Sequence, residues 1–210
     1  MIVAIDGPAG AGKSTVARGL AERLGFRYLD TGAMYRGLTW LALRRGLDLG
    51  EGAPLGDLAR ANPVTFDTAG RVFIDDCDVT DSIRQVRIDQ NVPVVARHHE
   101  VREVMRERQR ELAADGDVVI EGRDIGTVVA PQAEVKVYLV ADPEVRANRR
   151  QAERPDIGAD ALATDLKLRD ESDRARMEKA EDAQLIDTTD LAIDDVIARI
   201  EDLVRTRAAV

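Results

Sequence analysis

The chain opens on MIVAIDGPAGAGKST, and no other stretch constrains its fold as strongly. Ile2–Ile5 is a short apolar run of the kind that makes a buried strand, and Val16, Leu20 and Leu24 recur at helical spacing, with Gly25 as a stop. Between them, Gly7–Ser14 (GPAGAGKS) matches G-x-x-x-x-G-K-[ST] in full, in the strand–loop–helix setting the pattern requires. The glycines let the backbone curl so that successive N–H groups point inward. Those groups and the helix N-terminus attract anionic oxygens. Lys13 adds a point charge suited to β- and γ-phosphates, and Ser14 offers a hydroxyl to Mg²⁺. A glycine-rich turn that binds nothing is the bland alternative, and both the pattern and its setting speak against it.

The remainder alternates in the same way. Expected strands are Phe26–Leu29, Asp117–Glu121, Val135–Val140 and Gln184–Asp187. Expected helices are Ala33–Arg44, Glu100–Ala114, one from Asp142-Pro143 to Glu153, another from beyond ERPDIGAD to Lys179, and a last one through Ile193, Ile197, Ile200 and Val204. Asp142 is placed to cap, and Pro143 suits a first turn. Between Asn62 and Arg84, PVTFD, TAG and RVFIDD read as an inserted hairpin. The expected fold is α/β: a P-loop three-layer fold with a central parallel sheet of about five strands flanked by helices, ligand lying at the strands' carboxyl ends. The expected division is core 1–30, an inserted monophosphate-binding lobe 31–105, core 106–150, a short lid 151–167 and core 168–210.

Composition narrows the partners. The net charge of −9 argues against a nucleic-acid or anionic-membrane binder. Lys13, Lys136, Lys167 and Lys179 are the only lysines among 30 basic residues. The arginine excess fits either bidentate phosphate binding or genome composition, so local clusters carry the argument. Cys77 stands alone, which excludes an internal disulfide and suits a reducing cytoplasm. No apolar run approaches the ~18 residues of a membrane span, and the first residues do not resemble a signal peptide. A cytoplasmic location is therefore expected, and a monomer. The acidic DDCDVTD (Asp75–Asp81) fails the calcium-loop pattern, since Asp81 stands where glycine is needed, and reads as a solvated hairpin edge.

The phosphate loop alone does not name a reaction. A guanine-reading N-K-x-D is absent, and ATP-driven machines usually need more chain. A small P-loop protein with inserted lobes suggests phosphoryl transfer to a small acceptor. Three further stretches sharpen this: LDTGAMYRG (Leu29–Gly37), IEGRDIGTVV (Ile120–Val129) and LRDESDRAR (Leu168–Arg176). With the phosphate loop they resemble the bacterial cytidylate kinases, a branch of the nucleoside monophosphate kinases, and the resemblance runs from the first strand to the last helix.

That resemblance implies ATP- and Mg²⁺-dependent phosphorylation of CMP and dCMP. Gly7, Pro8, Ala9, Gly10, Ala11, Gly12, Lys13, Ser14 and Thr15 then hold the donor nucleotide. Arg36, Arg123 and Arg176 match the arginines on the acceptor phosphate and, with Lys13, form the catalytic set. Arg102 and Asp124 match the residues that read cytosine, and Arg169 and Asp173 those at the sugar hydroxyls. Thr31 and Tyr35 sit in the acceptor pocket. Glu121 is expected to hold Mg²⁺ through water, or simply to terminate its strand. Arg149 and Arg150 reach the transferring phosphate or form a solvated helix end.

Other bland alternatives stand beside these. Arg102 belongs to a charged helix whose arginines mostly face solvent. Arg169, Asp173 and Arg176, at i, i+4 and i+7, also fit a surface ion-pair ladder on one helix face. Asp124 is equally suited to cap a turn. One departure from the family pattern bears on base choice: Pro93 stands where a serine is usual, nine residues before Arg102, with Asn91 or a backbone carbonyl as substitute. His98 and His99 have no role in the pattern and read as surface. Rival readings are a kinase for UMP or shikimate and a nucleotide-binding regulator without turnover.

Overall fold

A computed structural model describes residues 1–155, 157–174 and 176–209. In chain order the elements are β1 (Ile2–Asp6), α1 (Lys13–Leu24), β2 (Arg27–Asp30), α2 (Thr31–Arg44), α3 (Gly52–Ala61), β3 (Thr65–Phe66), β4 (Val72–Ile74), β5 (Cys77–Asp78), α4 (Val86–Ala96), α5 (His99–Ala113), β6 (Val118–Gly122), β7 (Val135–Val140), α6 (Pro143–Glu153), α7 (Ala159–Asp173), β8 (Gln184–Asp187) and α8 (Ile193–Ala208). A single 3-10 turn at Ser82–Arg84 precedes α4, and one turn of π-helix at Ile125–Val129 follows β6.

The chain divides into two units, Met1–Leu29 with Asp115–Val210, and Asp30–Ala114. The first is built on a sheet of order β2-β6-β1-β7-β8. β1 pairs in parallel with both β6 and β7, and β7 with β8. Strands covered on both faces read as continuous apolar runs, which IVAI and VVI are, and VKVYLV is but for Lys136. Val3, Ile5, Leu20, Val137, Leu139, Ile197 and Ile200 pack into its core, with α8 against α1. The register sets Asp6 opposite Gly122 and Tyr138. The segments Gly7–Gly12 and Arg123–Asp124 therefore leave neighbouring strands at the same end of the sheet.

The second unit packs α2 against α4 and α3 against α5. Beside them lies a three-stranded antiparallel sheet, β3-β4-β5. The expected hairpin is its first half. The second turn is Asp75-Asp76, both at positive φ (52° and 57°), the primed geometry that matches strand twist. Two helices went unread because breakers lie inside them: Pro54 and Gly56 in α3, Pro93 in α4. Buried Leu55, Leu58, Ile88 and Val95 hold them in place.

Two expectations are corrected. The helix after ERPDIGAD ends at Asp173 rather than Lys179, with only a closing turn beyond it, in which the Asp173 carbonyl accepts from Arg176 N at 2.7 Å and Met177 N at 3.0 Å. His98 is not a plain surface residue, since its Nε2 lies 2.8 Å from the Leu49 carbonyl oxygen. Within the expected lid, residues 151–153 finish α6 and 159–167 begin α7, while residue 156 lies outside the described residues.

Candidate active site

In the first unit the phosphate loop leaves β1 with Gly7 at φ +145°, and a Cβ there would stand 2.1 Å from the Leu139 carbonyl oxygen. Only glycine fits. A loop whose N–H groups face a ligand must turn its carbonyls the other way, and buried carbonyls need donors. Side chains supply them. Arg123 Nη1 donates to Gly7 O at 2.7 Å, Lys13 Nζ to Pro8 O at 2.8 Å and Arg146 Nη1 to Ala9 O at 3.0 Å. The Thr188 hydroxyl lies 3.1 Å from Ala11 O, and Arg149 donates to Thr188 Oγ1 at 3.0 Å and to its carbonyl at 2.6 Å.

Three acidic groups stand around the loop. Asp6, ending β1, accepts from Ile125 N at 2.9 Å and Gly126 N at 2.8 Å. Burial pushes its carboxyl up to about 6, and the two backbone bonds oppose that rise. Glu121, near the end of β6, accepts from Ser14 Oγ at 2.9 Å and from the Tyr28 hydroxyl, whose ring carries Arg18 on its face. Asp173, ending α7, pairs with Arg123 Nε at 3.2 Å and Arg176 Nη2 at 2.5 Å.

Lys13 sits amid this charge. Burial lowers its ammonium to about 7, the Arg123 charge acts in the same direction, and Glu121, Asp6 and Asp173 oppose it. Burial likewise pulls the Arg123 guanidinium below its ordinary value, against the pull of Asp173. The donor set fits Mg²⁺: a hydroxyl and a carboxylate, all oxygen, already share a hydrogen bond beside the loop. Among the described residues no group of three or more His, Cys, Asp or Glu could hold a metal. Mg²⁺ does not require one, because it keeps waters and takes phosphate oxygens.

Of the residues expected here, Arg123, Asp173 and Arg176 come together on one carboxylate, although Arg176 reaches it from beyond the helix end. A continuous helical face of three residues is thus ruled out. Arg169 pairs with Asp165 at 3.1 Å, and its charge acts on Arg123. Asp124 starts the π-turn, and its carbonyl accepts from Val128 N at 2.9 Å and Val129 N at 3.2 Å. Arg149 and Arg150 separate: Arg149 turns to Thr188, and Arg150 pairs with Glu153 at 2.8 Å.

In the second unit the DTG-x-x-YR stretch builds a local arginine mount. Asp30 caps α2 by accepting from Ala33 N at 2.8 Å, and its other oxygen holds Arg36 Nη2 at 2.7 Å. Gly32 leaves room for that guanidinium, since a Cβ would stand 2.9 Å from Arg36 Nη1. Thr31 is buried, Tyr35 half-buried, and Arg102 half-buried on α5 rather than exposed. Pro93 lies inside α4, and Asn91 donates to the Arg87 carbonyl at 2.8 Å.

Sequence reasoning missed Tyr28, Asp6, Arg146, Asp170 and Thr188. Asp6 carried a usable signal, a charge ending an apolar strand directly before the loop, the same signal that marked Glu121. Arg146 carried none among the neighbouring arginines of PEVRANRR.

A sequence profile of the cytidylate kinase family matches residues 3–206. The chain belongs to the cytidylate kinase family. A cytidylate kinase of Shouchella clausii is 47% identical over 214 residues, covering 97% of this chain and 95% of that protein. One of Exiguobacterium sibiricum is 47% identical over 212 residues, covering 96% and 95%. A solved gluconokinase from Sinorhizobium meliloti shares the P-loop kinase fold alone, with a TM-score of 0.53 and 15% identity over 99% of this chain and 93% of that one. Family membership makes the protein a P-loop phosphotransferase with ATP as donor.

Proposed function

We propose that the protein transfers the γ-phosphoryl group of ATP to CMP and dCMP, giving CDP and dCDP. The observation that carries this reading is the Arg123–Asp173–Arg176 cluster, whose first arginine also touches the Gly7 carbonyl. It sets cations for a second anion directly beside a cradle for the first. Two anions must meet in this reaction, and fixed cations offset their repulsion. Arg36 serves the same acceptor phosphate. Arg102 and Asp124 read the base, and Arg169 and Asp173 hold the sugar. Thr31 and Tyr35 line the acceptor pocket, while Arg149, Arg150 and the 151–167 lid complete the donor side.

An acceptor phosphate oxygen is already a nucleophile, so no side chain needs to act as a strong base. Catalysis is positioning and charge stabilisation. Gly7–Thr15 bind the donor phosphates and Lys13 neutralises them. Ser14, with Glu121 through water, would hold Mg²⁺, which supplies charge neutralisation at the β- and γ-oxygens. In this reading the protein works as a monomer in the cytoplasm on free nucleotides, not on nucleic acid or a membrane, and its net charge of −9 supports the choice. No helix among the described residues is long and apolar enough to cross a membrane.

A coupled ADP-release assay across CMP, dCMP, UMP, AMP and shikimate tests the reading. Turnover is expected with CMP and dCMP. No ADP with any nucleoside monophosphate would refute the enzyme, and preference for UMP or shikimate would refute the acceptor.

A further inference from the structure

The phosphate loop is tied to α7 at two points. Arg123 joins the Gly7 carbonyl to Asp173 and Arg146 joins the Ala9 carbonyl to Asp170, whose Oδ2 lies 2.7 Å from Arg146 Nη1. Asp170 and Asp173 are three residues apart, so both face the same way from the helix. Arg123 belongs to the acceptor-side cluster already described. Arg146 does not: it is only 8% exposed and starts from α6. It also lies hard against the loop backbone, since a Cβ on Gly10 (φ +75°) would stand 3.0 Å from Arg146 Cβ and 3.1 Å from its carbonyl oxygen.

We propose that Arg146 and Asp170 form a positioning pair for donor binding: Arg146 holds the Ala9 carbonyl outward, which keeps the loop N–H groups turned to the donor phosphates, and Asp170 holds Arg146. This rests on the reading of the loop as the ATP site and extends it to residues outside the loop. One nitrogen, Nη1, meets both the backbone carbonyl and the carboxylate, so the guanidinium serves by its place and fixed orientation, which a flexible ammonium on a shorter stem does not reproduce. A carboxylate is needed because a guanidinium this buried requires a charged partner. The pair acts on the donor loop, so its loss should fall on ATP and ADP rather than on the acceptor.

The test compares the full-length protein with Asp170→Asn, Asp170→Glu and Arg146→Lys. It reads ADP binding by titration calorimetry, kcat and the KM values for ATP and CMP, and the melting temperature. Asp170→Asn and Arg146→Lys are expected to weaken ADP binding and raise the KM for ATP about tenfold, the effect of losing one hydrogen bond to a charged group. In Arg146→Lys the KM for CMP should stay within about twofold, whereas Asp170, whose charge also acts on Arg123, is read on the donor parameters, and Asp170→Glu should recover much of the loss. Arg146→Lys keeps the charge beside Asp170, so it remains informative if Asp170→Asn does not fold. ADP and ATP parameters within about twofold of wild type in Arg146→Lys overturn the proposal. So does an equal loss for ATP and CMP that tracks a fallen melting temperature. The ADP-binding arm decides the matter even if the wild type phosphorylates no cytidine nucleotide, a result that would refute the functional reading alone.

Discussion

Arg123 and Asp173 form an ion pair of 3.2 Å while the same guanidinium donates to the Gly7 carbonyl at 2.7 Å. One side chain thus braces the donor loop and offers charge to an acceptor. Arg123→Lys keeps the charge but cannot span both partners, so kcat with CMP should fall roughly 10²-fold or more while the protein still folds. Steady-state kinetics with a melting curve check this, and near-wild-type kcat would contradict it.

Lys13 should report donor binding by taking up a proton. Its ammonium, ordinarily near 10.5, titrates at about 7 in the folded chain. Donor phosphates restore a high value, so binding ADP at pH 8 should draw up to about one proton from buffer. Calorimetry in HEPES and in Tris should give enthalpies that differ accordingly. Lys13→Met should remove the difference and nearly abolish turnover with every acceptor.

Glu121→Gln keeps the shape at Ser14 and Tyr28 but removes the charge. A hard cation then loses the carboxylate bonded to Ser14, so the Mg²⁺ concentration for half-maximal activity should rise about tenfold, with EDTA abolishing activity in both proteins. An unchanged Mg²⁺ titration would assign Glu121 to strand termination only.

Asp6 gives a stability prediction. The folded chain keeps this proton up to about 6, whereas an unfolded aspartate releases it near 3.8. The folded state binds more protons in that window, so this group's contribution to stability falls as pH rises from 3.8 to about 6. Asp6→Asn removes that slope and orphans one of two backbone N–H groups, costing about 1–3 kcal/mol. The deficit should therefore be larger at pH 4.5 than at pH 7.5, read by denaturant unfolding at both.

Local features were legible in the sequence. The phosphate loop needs only its own glycines, lysine and serine, and the Asp30–Arg36 mount lies within seven residues, so both showed as patterns. The central strands β1, β6 and β7 showed because they are buried on both faces. Partnerships across the chain did not show. Arg146 finds Ala9 from 137 residues away, and Glu121 meets Ser14 across 107. Arg169, Asp173 and Arg176 read as one helix face, but the helix stops at Asp173 and Arg176 pairs with it from beyond the end. Helices α3 and α4 were hidden by their own prolines and glycine, which tertiary burial overrides.

The destination of the phosphoryl group defines the protein's function. With γ-labelled ATP, Mg²⁺ and an equimolar mixture of CMP and UMP, separated products identify the acceptor directly. Label recovered chiefly in CDP is the predicted result. Label in UDP in excess of CDP, or left only in inorganic phosphate, would contradict it.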